Sequence, residues 1–242
     1  MFCHQCGQAL AAEAAACTSC GKAVGLVPSP APTAGAQEIG KRLANEAKAA
    51  SQNALQAFTT FAVNPVGGLR SAFTSLGPTN ARNAGFVFAL FFDFCLVIGM
   101  HRAASAGRGM LPFAGMGSAG FSLGDTLKLL LAGLVPFAGI VGAGLGARKI
   151  FHGASSIEGD IFVAGAALLP TAFLVFLAGI LGIANFEVVA ILSVVAICYT
   201  VLMLHTGCRE ISAIPDPGAT IAVPVMLLAS AWFSKIILAA ML

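Results

Sequence analysis

Charged side chains are scarce in this chain: Asp, Glu, Lys and Arg make up 10% of the 242 residues, whereas 58% are hydrophobic. Soluble domains carry about 25% charged residues, so the composition indicates a membrane protein and makes the lipid bilayer its expected environment. The formal net charge is only +3, and the basic residues are scattered singly or in pairs, without a long run. We therefore expect no nucleic-acid partner.

Motifs of enzymes are also missing from the sequence. It contains no nucleophile elbow, P-loop, HExxH motif or pair of neighbouring carboxylates that would act as acid and base. We therefore expect that the protein is not an enzyme. The start of the sequence has no basic segment followed by an apolar one, so we expect no cleavable signal peptide and a cytoplasmic N-terminus.

Four of the seven cysteines cluster at the start of the chain. Cys3, Cys6, Cys17 and Cys20 form two C-x-x-C-G units in a segment too short to bury a hydrophobic core. Four thiolates can close a tetrahedral zinc site, and the metal then supplies folding free energy, about 10 to 16 kcal/mol in small zinc peptides. The spacing predicts a zinc ribbon over residues 1–22, with Zn²⁺ in a structural role and all four coordination positions taken.

Other uses of these four cysteines are chemically possible. Two disulfides would require an oxidising compartment, a redox C-x-x-C normally accompanies a βαβ pattern, and iron also fits a Cys₄ site. The remaining cysteines, Cys95, Cys198 and Cys208, lie in or beside apolar segments and are expected to pack as small apolar side chains.

The segments that follow the cysteines change composition twice. Residues 23–37 are rich in Pro and Ala, which predicts an extended linker. Residues 38–82 predict amphipathic juxtamembrane helices, because apolar side chains from Ile39 to Phe61 share one helical face. That face suits either the membrane interface or packing on a partner helix or on the membrane helices.

The rest of the chain, residues 83–242, predicts a membrane domain. Each of its apolar runs is long enough to cross about 30 Å of hydrocarbon, and they cover residues 84–102, 126–147, 161–184, 188–206 and 219–242. The expected fold is an all-α polytopic membrane protein with five transmembrane helices and a small N-terminal Cys₄ zinc ribbon. The positive-inside rule places the N-terminus in the cytoplasm and the C-terminus outside.

One acidic residue interrupts the first apolar run. Asp93 lies near its middle, where a lone charge is costly and commonly functional, and His101 lies on the same helical face toward the outer end. These two residues are candidates for an intramembrane functional site. The alternative is an acid that fixes helix packing through a hydrogen bond or in its protonated form.

The whole arrangement resembles bacterial zinc-ribbon membrane proteins whose C-terminal part is Yip1-like. MFCHQCG and CTSCGK are similar to the zinc-ribbon module, and NPVGGL at residues 64–69, ahead of the first of five spans, is similar to the Yip1-like domain. The resemblance implies a non-enzymatic protein of membrane organisation or trafficking-like scaffolding in a bacterial inner membrane, with a protein partner bound by the ribbon.

Two other functions fit the same sequence, namely a small transporter or channel that uses Asp93, and an assembly factor for other membrane proteins. Small residues recur every four positions at Ala138, Gly142 and Gly146 and at Gly139, Ala143 and Ala147. Such faces let helices approach closely, so a homo-oligomer through them is also expected.

Overall fold

The computed structural model describes residues 32–64, 67–105, 123–181 and 186–241. In these ranges the chain is helical throughout, apart from short turns. Its helices are α1 (Pro32–Val63), α2 (Gly68–Ser105), α3 (Leu123–Ile150), α4 (Ile157–Leu181), α5 (Phe186–Thr206), which continues as a π-helical turn (Gly207–Ile211), and α6 (Asp216–Met241). The chain divides into two units, Met1–Glu46 and Ala47–Leu242.

Five of the helices are long and apolar enough to cross a membrane: Gly68–Arg102, Leu123–Ile150, Ile157–Leu181, Glu187–Ile211 and Asp216–Ile237. The prediction of five apolar membrane helices is confirmed to that extent. The ends differ from the predicted ends by five residues or fewer, except that the first helix starts at Gly68 and not at residue 84. The predicted zinc ribbon, residues 1–22, lies outside the described residues, as does the start of the predicted linker.

Helix α1 begins at Pro32, inside the segment that the composition predicts to be a linker. Proline is favoured at the first position of a helix, because its fixed φ suits the helix and its missing N–H would be unpaired there anyway. The second half of α1 packs on the membrane helices: Ala54, Ala57 and Phe61 are buried. The sequence analysis left three placements open for the apolar face of α1. In the structure this face packs on the membrane helices.

Helix α2 changes direction at Gly77, whose φ of 72° and ψ of 165° are not helical. Only glycine adopts this region of backbone conformation without strain, and Pro78 then begins a new helical stretch. The short arm before the kink is well buried at Leu69 and Ala72. The aromatic ring of Phe73 lies 5.8 Å from that of Phe162 at the start of α4.

The centre of the bundle is the pair α2 and α4, which run in parallel with their backbones in contact. A Cβ built on Gly85 would lie 2.6 Å from the carbonyl oxygen of Ile161, and one built on Gly165 would overlap the backbone of Gly85. Further along, a Cβ on Gly179 would lie 3.0 Å from the Cα of Gly99. The two contacts are separated by two heptads on each helix, which is the spacing of left-handed, knobs-into-holes packing.

The other helices surround this pair. Helix α3 packs on α6, where a Cβ on Gly139 would lie 2.8 Å from the Cα of Ser230, and Thr200 of α5 donates a hydrogen bond of 2.9 Å to the carbonyl of Ala167 in α4. In the apolar windows of α3, α5 and α6 only 22% of residues are buried, against 56% for α4. The outer faces of these three helices therefore expose large apolar side chains, as lipid-facing helices do.

Candidate intramembrane site and the polar network beside it

Asp93 is the acid at the centre of the first predicted span, and the structure buries it between α2 and α3. Its residue exposure is 3%, and its carboxylate faces the backbone of α3 at Gly133, where a Cβ would lie 2.9 Å from the Asp93 Cγ and overlap Oδ1. Within the described residues, Oδ1 of Asp93 has no hydrogen-bond partner. The acid therefore occupies space that only a glycine on the neighbouring helix provides.

The local sequence of α3 leaves one backbone carbonyl without its helical partner next to Gly133. Pro136 lies three residues after Gly133, inside α3. Because proline has no N–H, the carbonyl of Ala132 loses its usual intrahelical donor. A neutral carboxyl group can donate a hydrogen bond to a carbonyl, whereas a carboxylate can only accept one. A buried carboxyl group of this kind is chemically able to take up and release a proton.

His101, the second candidate, does not join Asp93. It lies about 12 Å further along α2 at 1.5 Å per residue, and its Nε2 is 3.2 Å from Oγ1 of Thr126 at the start of α3. The pair connects the ends of α2 and α3. Lys235, another intramembrane charge, lies with its Nζ 5.7 Å from the centre of the Trp232 ring.

The four predicted zinc ligands, Cys3, Cys6, Cys17 and Cys20, lie outside the described residues. Among the residues that the structure does describe, no group of three or more His, Cys, Asp or Glu side chains could hold a metal ion. Of the remaining cysteines, Cys95 and Cys208 are buried and Cys198 is exposed on α5. The predicted packing role therefore fits Cys95 and Cys208, whereas Cys198 faces outward from the bundle.

A buried ionic network, which the sequence analysis did not predict, joins the ends of α3, α4 and α5. Nε of Arg148 is 3.2 Å from Oδ2 of Asp160, with side-chain exposures of 16% and 3%. Oγ of Ser212 donates a hydrogen bond of 2.9 Å to Oδ1 of Asp160, and Arg148 also donates to the carbonyl of Ser155. The contact to Oδ2 is an ion pair without aligned hydrogen-bond geometry, so Ser212 makes the directional bond to this acid.

The helices themselves favour these charges. Asp160 is in the first turn of α4 and Arg148 is in the last turn of α3, the positions where the helix dipole stabilises an acid and a base, respectively. A signal was present in the sequence, since charges directly beside long apolar runs need partners. Nothing in the sequence, however, indicated that residues so far apart as Arg148, Asp160 and Ser212 meet.

The loops that carry this network are held in unusual conformations. His152 and Ala213 have positive φ values of 57° and 50°, which non-glycine residues adopt rarely. A Cβ on Gly153 would lie 2.5 Å from the carbonyl oxygen of Ser212, so the α3–α4 and α5–α6 loops are in direct backbone contact. Such strain persists where the surrounding structure fixes the chain, and the buried ion pair supplies that constraint.

A second, exposed group lies next to the network. Nε of Arg209 is 2.8 Å from Oδ1 of Asp216, and Nε2 of His205 is 3.8 Å from the same oxygen. Exposed ion pairs contribute about 0 to 1 kcal/mol. This group therefore adds little to stability compared with the pair of Arg148 and Asp160.

In a comparison with known proteins, no family model, no curated protein and no solved structure matches this chain. What can be said of its function therefore rests on its own residues.

Proposed function

We propose that this chain is a non-enzymatic, multi-pass membrane protein whose N-terminal cysteines form a cytoplasmic zinc ribbon that binds a protein partner. The membrane helices serve as its anchor. The observation that carries the proposal is the combination of two C-x-x-C-G units with five helices long and apolar enough to cross a membrane. Cysteines stay reduced and can bind zinc as thiolates in a reducing compartment. This supports a ribbon on the cytoplasmic side of a bacterial inner membrane. The Yip1-like resemblance supports scaffolding or membrane organisation as its role.

The test of the ribbon replaces Cys3 and Cys6 by Ser in the full-length chain. We expect the zinc content of the purified protein to fall from about one ion per chain to none, because a Cys₄ site needs every thiolate. Capture of the protein partner from native membranes should be lost with it, while the yield in the membrane fraction stays the same.

The matched control is Cys198→Ser, which removes an exposed thiol on α5. It should leave zinc content and partner capture unchanged. Zinc retained after the double replacement, or loss of the protein from the membrane fraction, would contradict the proposal.

A second candidate function is transport of protons or small cations through Asp93, because this acid is buried and Oδ1 lacks a hydrogen-bond partner among the described residues. In proteoliposomes with an imposed proton, sodium or potassium gradient, we expect Asp93→Asn to abolish flux. Asp216→Asn, which changes an acid with a 61% exposed side chain, should transport normally. Flux that is absent in the parent protein, or equal in both variants, would reject transport.

A further inference from the structure

The second half of α1 lies beside the membrane helices at the depth of the bilayer. The ring of Phe61 is 5.6 Å from that of Phe88 on α2, and the ring of Phe58 is 5.4 Å from that of Phe173 on α4. Phe173 also contacts Phe91, with ring centres 5.6 Å apart. Along α1 and α2 these contacts therefore occur in antiparallel order.

The depth follows from the position of Phe173 in α4. The uncharged part of α4 begins at Ile161, directly after Asp160, and Phe173 lies about 18 Å further along the helix at 1.5 Å per residue. The hydrocarbon core is about 30 Å thick. Phe58 of α1, which packs on Phe173, is thus inside the hydrocarbon layer and not at its surface.

The opposite face of this half of α1 carries polar groups within the same layer. Because α1 is antiparallel to α4, Gln56 lies about 21 Å and Gln52 about 27 Å from the level of Ile161 at 1.5 Å per residue, so Gln56 is the deeper of the two in a layer about 30 Å thick. Gln52 and Gln56 are exposed, one turn apart, and Leu55 between them is 64% exposed. The hydroxyl of Thr59 on this face donates to the carbonyl of Gln56 at 2.9 Å, so it is satisfied within the helix. Among the described residues the amides of Gln52 and Gln56 have no such local partner, and burying an amide in an apolar environment without a hydrogen bond is unfavourable.

We propose that this face of α1, the seam formed by Gln52, Leu55, Gln56 and Thr59, binds the same seam of a second copy of the chain. Three features favour this occupant. A glutamine amide carries both donors and an acceptor, so paired glutamines complement each other across a twofold axis. Gln52, Leu55 and Thr59 follow the three-and-four spacing of a helix–helix seam. Lipid chains offer no hydrogen bonds, whereas glutamine bonds between membrane helices are known to support association.

The seam is separate from the small-residue face predicted for oligomers on α3. A Cβ on Gly142 or Gly146 would meet nothing within 4 Å, so that face is open, but it has no polar group that selects a partner. The polar seam of α1 does, and it makes the stronger case for self-association.

The experiment places a photo-reactive amino acid at Leu55, which keeps both glutamines, in the full-length protein in its native membrane. We expect a crosslinked band at twice the mass of the chain. The control places the same probe at Ile191 of α5, which is 65% exposed and should react with lipid. Crosslinks from position 55 only to lipid, or only to another protein, would overturn the proposal.

A second measurement tests the chemistry of the seam. Energy transfer between two labelled copies in lipid vesicles gives the apparent dissociation constant, and we expect Gln56→Leu to raise it at least about threefold, the average effect of a membrane hydrogen bond. Gln56→Asn, which keeps the amide, should raise it less, and Leu228→Ala on the outer face of α6 should not change it. Unchanged or tighter association of Gln56→Leu would exclude pairing through the amides.

Discussion

Replacing Gly133 by Ala tests the geometry of the Asp93 site directly. The added Cβ would overlap Oδ1 of Asp93 and lie 2.9 Å from its Cγ and 3.2 Å from Cδ2 of Leu96. Leu96 can move the end of a flexible side chain, whereas the Asp93 side chain is 3% exposed and has little room to turn. We therefore expect the substitution to force the two helices apart or to turn the carboxylate toward lipid.

The magnitude can be worked out against a glycine on the same helix. At Gly142 an added Cβ meets nothing within 4 Å, so Gly142→Ala should gain only the helix propensity of Ala over Gly, about 1 kcal/mol. Gly133→Ala gains the same propensity but loses about 1 to 3 kcal/mol to overpacking. The difference between the two variants isolates the overlap with Asp93.

The assay is reversible unfolding in mixed micelles, which gives the free energy of unfolding of each variant. In an Asp93→Ala background the overlap disappears, and Gly133→Ala should then behave like Gly142→Ala. Such a cycle measures the coupling between positions 93 and 133. Equal free energies of Gly133→Ala and Gly142→Ala, or a loss that persists without Asp93, would refute the contact.

Three further substitutions test the rest of the bundle, the first two by the same unfolding measurement and the third by size-exclusion chromatography. Arg148→Ala leaves the buried carboxylate of Asp160 unpaired and should cost about 3 to 5 kcal/mol; adding Asp160→Asn should recover part of the loss, and no recovery would argue against the pair. Gly77→Ala, at φ 72°, should cost about 1 to 3 kcal/mol from backbone strain, unlike Gly146→Ala, which meets open space. Gly165→Ala overlaps the backbone of α2, which cannot move like a side chain, so we expect the largest loss of monodisperse protein in size-exclusion chromatography; normal yield would contradict the close α2–α4 contact.

The number of the membrane helices, and the approximate ends of all but the first, could be predicted because each helix depends on its own residues. A run of apolar side chains long enough for the bilayer is stable there whatever its neighbours are, since its backbone hydrogen bonds are internal. The burial of Asp93 was also expected from its place in such a run. Proline inside α3, α4 and α6 did not end these helices, which agrees with the tolerance of proline in membrane helices.

What the sequence did not provide is the choice of partners among these helices. The small residues of α3 predicted a close helix contact. Gly139 does make a close contact with another helix, but Gly142 and Gly146 do not. The closest backbone contact uses Gly85 and Gly165 on α2 and α4 instead. The network of Arg148, Asp160 and Ser212 was missed for the same reason, because such contacts depend on which helix ends meet in the fold.

The position of α1 connects the proposed seam with the sidedness of the protein. A cytoplasmic ribbon followed by an α1 that crosses the bilayer would put the end of α2 with Arg102 in the cytoplasm, together with Lys48 and Lys128. The opposite order, with Arg148 and Arg209 in the cytoplasm as the positive-inside rule predicted, would put Lys48 of α1 on the outer side. Reporter fusions in the α3–α4 loop and at the C-terminus separate these two orders. The seam requires neither of them, because the position of its glutamines relative to the membrane helices is the same in both, and an amide inside the hydrocarbon layer needs a hydrogen-bonding partner in either order.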